Sequence, residues 1–386
     1  MTTIPAIHAR PPRAGAHALL WTCVALAVAA CGREHSDTSA AAASADDRTL
    51  NVYNWSDYIG PDTVADFERE TGIKVRYDVF DSNEVLEAKL LAGTTGYDIV
   101  VPSANFVARQ IQAGVFQPLD RSKLPNYKNL DPAIVKILAG YDPDNRYAVP
   151  YLWGTTGIGY NVAKIKERMP DAPIGSWDLL FKPEVVARFK DCGVSVIDTP
   201  TEVVPSMLHY LGLPSASQDE GDLAQAEAQL MRMRPTVRYF HSSQYLNDLA
   251  SGEICLALGW SGDVYIARAR AAEAGNGNDI AYFIPREGAL MWFDTMAIPK
   301  DAPHVANAYK FLDYLMRPDV AAAITNAVHY GNANLAATAL VDPAIAHDPA
   351  LYPDADTRAR LFPNVVDTPA FARALTRTWT RVKTHQ

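Results

Sequence analysis

The chain has 386 residues, 48% of them hydrophobic and 20% charged, with a formal net charge of −9. This length and ordinary globular composition fit two domains with a core each, and exclude a disordered or fibrous chain. No basic patch offsets the acidic excess, which argues against nucleic acid as a partner.

Residues 1–30 read as a secretory leader and stand apart from the fold. Arg10 and Arg13 form a basic start with no acidic residue, and an apolar run from Ala18 to Ala30 follows. That run is too short for a permanent membrane helix. It ends in Val28-Ala29-Ala30-Cys31, which resembles a bacterial lipobox, in which Cys31 is acylated and becomes the mature N-terminus. The alternative is an ordinary signal peptide cut nearby. Loss of Arg10 and Arg13 takes the charge to about −11. Residues 31–48 form the expected tether, rich in Ala and Ser beyond Cys31 and without an amphipathic pattern. No later segment is long and apolar enough to cross a membrane, so the expected product is a soluble body that meets the membrane only through its lipid. Cys23 leaves with the leader, which leaves Cys192 and Cys255 as one disulfide or two buried thiols.

From Thr49 strands and helices alternate. Leu50–Val52 reads as a strand; Pro61 then opens a helix, Val64 and Phe67 supply its apolar face, and Gly72 caps its end. Ile73–Val79 alternates like a half-buried strand, and Ser82 or Asn83 caps a helix running to Gly93. Asp98–Val101 is a third strand, with a helix to about Gly114. This β-α-β-α-β order predicts parallel strands in an open α/β layer. A second set begins after Tyr151: strands at Val194–Ile197 and Ile254–Leu258, each followed by a helix. Two more strands, Ala281–Ile284 and Leu290–Ile298, flank a turn at Arg286-Glu287-Gly288. Helical periodicity returns at Val305, Tyr309, Leu312 and Leu315, is interrupted at Pro318, and reappears over Ala370–Val382.

Ligands of open α/β sheets bind beyond the carboxyl ends of strands. Trp55-Ser56-Asp57-Tyr58, Ser103, Glu202 and Trp260-Ser261-Gly262-Asp263 all fall there, and Trp292-Phe293-Asp294 lies inside a strand. Each has a plain structural reading: Asp57, Asp263 or Ser103 as a helix cap, Glu202 as a solvated first-turn carboxylate, the tryptophans as core. Together, four carboxylates beside three tryptophans suit an aliphatic diamine. Carboxylates hold ammonium groups by charge-assisted hydrogen bonds, and tryptophan faces attract cations and cover methylenes. An Asp amid apolar strand residues is costly unless a ligand compensates its desolvation. No nucleophile elbow, zinc-helix, paired-cysteine or phosphate-loop motif is present, the nine His residues are scattered, and no cofactor or metal is expected. A carboxylate pair alone could serve a glycosidase, but no motif supports an enzyme.

The clusters resemble those of the polyamine-binding components of bacterial ABC importers, especially the putrescine-binding type. Asn51-Val52-Tyr53-Asn54-Trp55-Ser56-Asp57-Tyr58-Ile59 is similar to that family's opening motif, as are Asp98–Ser103, Gly157–Asn161, Ser176–Asp178, Gly259–Asp263 and Tyr330–Ala337 in their places. The resemblance implies a two-lobed periplasmic solute-binding fold of the type II kind, hinged between lobes, here 49–151 plus 276–326 and 152–275 plus 327–386. It implies a first lobe lined by Trp55, Ser56, Asp57, Tyr58, Ser103, Trp292 and Asp294, and a second by Glu202, Trp260, Asp263 and Tyr330. Asp57 and Asp294 would hold one ammonium, and Asp263 with Glu202 the other. A disulfide between Cys192 and Cys255, a monomer, a lipid anchor at Cys31 in the periplasm and an inner-membrane ABC permease as partner are likewise implied. Trp292 stands where the putrescine type has Phe and the spermidine type Trp, and Gly331 replaces an expected Ala. Tyr330 and Ser103 favour putrescine; spermidine, cadaverine and agmatine remain open. Competing readings are a binding protein of the same fold for a sugar or an iron complex, and a lipoprotein that presents its ligand to a sensor. The carboxylates argue against an anionic ligand, and the lack of a His/Tyr cluster against free iron.

Overall fold

The computed structural model of the chain describes residues 48–384. The leader, Cys31 and all but the last residue of the tether lie outside the described residues. Eleven strands occur among them: β1 (Thr49–Trp55), β2 (Lys74–Phe80), β3 (Ile99–Val100), β4 (Ala148–Asn161), β5 (Val194–Val196), β6 (Val237–Phe240), β7 (Leu256–Trp260), β8 (Ile280–Phe283), β9 (Leu290–Ala297), β10 (Gly331–Asn332) and β11 (Phe362–Pro363). They form one mixed sheet in the order β2-β1-β3-β9-β4-β7-β5-β6, with β8 and β10 paired to β4 and β11 to β9. As the β-α-β-α-β pattern predicts, β1 runs parallel to both β2 and β3. A second parallel group joins β6, β5 and β7.

The buried side chains separate into two large clusters, which makes this α/β fold two-lobed. One contains Leu50 to Leu152 and Leu290 to Ala333; the other contains Ile158 to Ala289 and the C-terminal Phe371 to Val382. Strand β4 links them. Its first part pairs with β9, and its end pairs with β7 and β8. Nothing in the alternation of Ala148–Asn161 announces this strand, because it is buried on nearly every residue of both faces. The register against β9 shifts between Pro150 and Trp153, next to the passage from one core to the other.

Local chemistry explains most of the remaining elements and corrects some expectations. The helix expected to open at Pro61 begins at Thr63 after Asp62, and Gly72 ends it in the left-handed conformation, φ 71°. Ser82 rather than Asn83 caps the helix Asn83–Ala92, accepting from the backbone of Val85. Strand β2 lies at the sheet edge and is more exposed than half-buried. Strands β8 and β9 do not form a hairpin about residues 286–288; both lie along β4. Pro318 opens the helix Pro318–Val328 at its first turn, where a missing N–H costs nothing. The residues from 276 to 289, expected with the first lobe, carry Ile280, Tyr282 and Ala289 into the other core, because β8 pairs with the far end of β4. Cys192 and Cys255 are joined as a disulfide, at the base of β5 and β7.

Candidate functional site

A cavity lies where the two cores face each other. All eleven residues singled out from sequence line it. Trp55 ends β1 and the next three residues turn away from it; Ser103 follows β3, and Trp292 and Asp294 stand on β9. From the opposite core, Trp260 ends β7, Asp263 sits in the first turn of the helix Ser261–Ala274, and Glu202 in that of Pro200–Tyr210. Tyr330, expected in the second lobe, packs with the first core.

Trp55 and Trp292 do belong to the first core, but the plain structural readings of Ser103 and the acids do not describe what they do here. Ser103 precedes the helix Ala104–Gln112 without capping it. Its hydroxyl instead donates to Asp294 Oδ1 at 2.6 Å, while Asn83 Nδ2 donates to the same hydroxyl at 2.9 Å. Asp294 is buried, and burial pushes its carboxyl up to about 7 against the help of Ser103 and of the nearby Tyr58. The Tyr58 hydroxyl makes no hydrogen bond of ordinary length and angle, although it lies close enough to favour the anion. Glu202 is also buried and is pushed to about 7; it accepts from Thr156 Oγ1 and, at 2.9 Å, from Trp260 Nε1. Asp263 caps nothing; Tyr330 donates to its Oδ1 at 2.6 Å and Tyr245 to its Oδ2 at 2.8 Å. Burial raises it to about 6.

Aromatic rings wall the space between the acids. Trp55 meets Trp260 edge-on across the two cores, ring centres 5.7 Å apart, and Trp292 meets Tyr330 at 5.3 Å. Trp55 is held by a hydrogen bond from Nε1 to the carbonyl of Val101 at 2.8 Å. Asp57, expected to share an ammonium with Asp294, is turned outward: its Oδ1 pairs with Arg270 Nη2 at 2.5 Å. Arg270 belongs to the helix Ser261–Ala274 of the other core, so this ion pair bridges the mouth. Asp57 itself sits at φ 53°, a conformation Asp tolerates better than most residues.

Phe80, Asp81, Ser242, Ser243 and Leu246 also line the cavity and were not singled out from sequence. Asp81 sits just after β2, as Asp57 and Asp263 follow β1 and β7, and could have been found by that rule. Tyr245, Thr156 and Asn83 orient the acids from behind, and no local sequence signal marks them. Among the described residues lining the cavity, none is basic and five are acidic. No group of three or more His, Cys, Asp or Glu among the described residues could hold a metal ion.

Comparison with known proteins places this geometry in context. Residues 62–353 match the family described as bacterial extracellular solute-binding protein. The chain is 56% identical over 342 residues to the putrescine-binding periplasmic protein PotF of Escherichia coli, covering 88% of this chain and 92% of that one. It is 53% identical to the putrescine-binding periplasmic protein SpuD of Pseudomonas aeruginosa, covering 89% and 94%. Among solved structures, the TpPotD lipoprotein of Treponema pallidum superposes with a TM-score of 0.71 at 27% identity, covering 87% of this chain and 99% of that one.

Proposed function

The chain belongs to the bacterial extracellular solute-binding proteins, and we propose that it captures a polyamine, putrescine first among them, and delivers it to an ABC permease. The observation that carries this reading is the cavity's charge: three buried carboxylates, no basic lining residue, and aromatic walls between. Buried acids of this kind are tolerable when a cation pairs with each end. In the proposed complex one ammonium meets Asp294 beside Ser103, and the other meets Asp263 with Glu202 nearby. Four methylenes then lie against Trp55, Trp260 and Trp292. The high identity to two putrescine-binding proteins supports the choice of ligand. Trp292 favours a second reading, spermidine, because its larger ring reshapes the wall beside Asp294.

In the proposal the lobes move about a hinge through β4, and contacts from both cores let ligand favour the closed form by differential affinity. The lobe division we propose follows the cores: 49–152 with 290–334, and 158–289 with the C-terminal residues, β4 crossing between them. Asp57 then acts as a latch with Arg270 rather than as a ligand group. The periplasmic names of the relatives support a location outside the inner membrane. Attachment through lipidated Cys31, and action as a monomer, complete the proposal.

Calorimetric titration of ligand-stripped protein with putrescine, cadaverine, spermidine, agmatine and butylamine tests the reading. Tight binding of one diamine and none of butylamine is expected. No heat with any of these amines overturns it.

A further inference from the structure

The segment Gly259-Trp260-Ser261-Gly262-Asp263 is shaped to admit two tyrosines. A Cβ at residue 259 would sit 2.5 Å from Cε2 of Tyr245, and one at residue 262 would sit 2.5 Å from Cδ2 of Tyr330. Only glycine lets the rings come this close. Tyr245, on the helix Gln244–Ser251, is fully buried and does not itself line the cavity.

The hydroxyls of both rings are committed in the same way. Tyr245 Oη accepts from the Trp260 backbone N–H at 3.0 Å and donates to Asp263 Oδ2 at 2.8 Å. Tyr330 Oη accepts from the Asp263 backbone N–H at 3.0 Å and donates to Oδ1 at 2.6 Å. A phenol has one proton to give, and here the backbone N–H groups leave it no better acceptor than the carboxylate. A protonated Asp263 would bring a second proton to one of these contacts and lose a hydrogen bond. Each carboxylate oxygen keeps lone-pair capacity for an ammonium.

We propose that Tyr245 is a positioning residue which, with Tyr330, holds Asp263 as an anion facing the cavity and so sets the most acidic midpoint of ligand capture, where the last of the three buried acids loses its charge. This rests on the reading that Asp263 receives one ammonium. The charged groups facing Asp263 are Asp57, which disfavours its anion, and Arg270, which favours it; Glu202 faces Tyr245. In keeping with the clamp, both tyrosine hydroxyls favour the Asp263 anion against its burial, which raises it to about 6.

The test compares wild type, Tyr245→Phe, Asp263→Asn and the double variant, all purified full-body protein stripped of ligand, in putrescine titrations across the weakly acidic to weakly basic range. Phenylalanine keeps the ring over Gly259 and removes only the hydroxyl. For Tyr245→Phe, affinity about tenfold lower and a binding midpoint about one pH unit higher are expected, one unit being a tenfold change in proton affinity. In the Asp263→Asn background, Tyr245→Phe should move the midpoint no further. An equal loss at every pH, or a shift that persists without the Asp263 carboxylate, overturns the clamp. If Tyr245→Phe does not fold, Gly259→Ala displaces the same ring and should raise the midpoint likewise; an unmoved midpoint in that variant overturns the clamp equally. Wild type that binds no amine refutes the polyamine reading instead. The clamp is then decided by NMR titration of the Asp263 carboxyl carbon, where a pKa unmoved by Tyr245→Phe overturns it.

Discussion

Replacing Asp294 by Asn should strengthen the ligand-free protein and weaken its complex, two effects of opposite sign from one carboxylate. Burial lifts Asp294 from 3.8 to about 7. At about 1.4 kcal/mol per pH unit, keeping it ionised in this buried setting costs about 4 kcal/mol. The folded pKa lies above the unfolded one, so the native state holds more protons than the unfolded chain between those two values. Stability therefore falls as pH rises through that window, and the full cost is present above it. Asn keeps the acceptor that Ser103 Oγ needs and carries no charge. Opening of the lobes would rehydrate the acid and relieve part of the cost, so about 4 kcal/mol is a ceiling. Urea unfolding of stripped protein at about pH 8 should place Asp294→Asn roughly 1–4 kcal/mol above wild type, and the gap should close below about pH 4. Diamine affinity should fall by the roughly 2–5 kcal/mol lost when one partner of a buried charge pair is removed. An Asn variant that is destabilised equally at both pH values would refute the reasoning and make Asp294 a structural group.

Three further outcomes follow from the same geometry. Diamine affinity should drop as pH falls from about 7 through about 6, because Asp294, Glu202 and then Asp263 take up protons that a cation must displace. Calorimetry in buffers of different ionisation enthalpy should find protons released on binding within that window, and no release would contradict it. Arg270→Gln should change affinity by at most about fivefold, through faster release, because half-exposed ion pairs contribute about 0–1 kcal/mol. Stopped-flow displacement measures this, and a rise in salt should erase the difference from wild type. Replacing both Cys192 and Cys255 by Ser should cost roughly 2–4 kcal/mol in urea unfolding while leaving diamine affinity intact.

The site was far more legible in the sequence than the strand that organises it. Trp55, Asp57, Ser103, Trp260 and Asp263 each follow an apolar strand, and the rule that ligands gather beyond strand ends needs no tertiary knowledge. Asp294 was legible for another reason, as a charge in a run too apolar to hold one without compensation. Strand β4 was not, because burial on both faces removes the alternation that marks a strand, while Pro150 and three glycines lower its strand propensity. Tyr245 was invisible for a similar reason. In the helix Gln244–Ser251 it reads as one more buried aromatic, and only the fold brings its hydroxyl to Asp263. The Asp57–Arg270 pair could not be read from the sequence, since Arg270 lies 213 residues away on the opposite core.

These observations tie selectivity to motion through a single electrostatic fact. Asp294, Glu202 and Asp263 line one cavity, each pushed by burial well above its ordinary pKa. In the proposed cycle, parting of the lobes lets water stabilise those charges, so the groups that would receive the ammonium ends also favour the open form. A monoamine neutralises one end and leaves the other end uncompensated, which keeps closure unfavourable. On the proposed reading a diamine of the right length would satisfy both ends, so that the Trp55–Trp260 contact and the Asp57–Arg270 pair would no longer be opposed by uncompensated buried charge. In that scheme closure would report that both ends are filled, the information a permease would need from the protein that delivers its cargo.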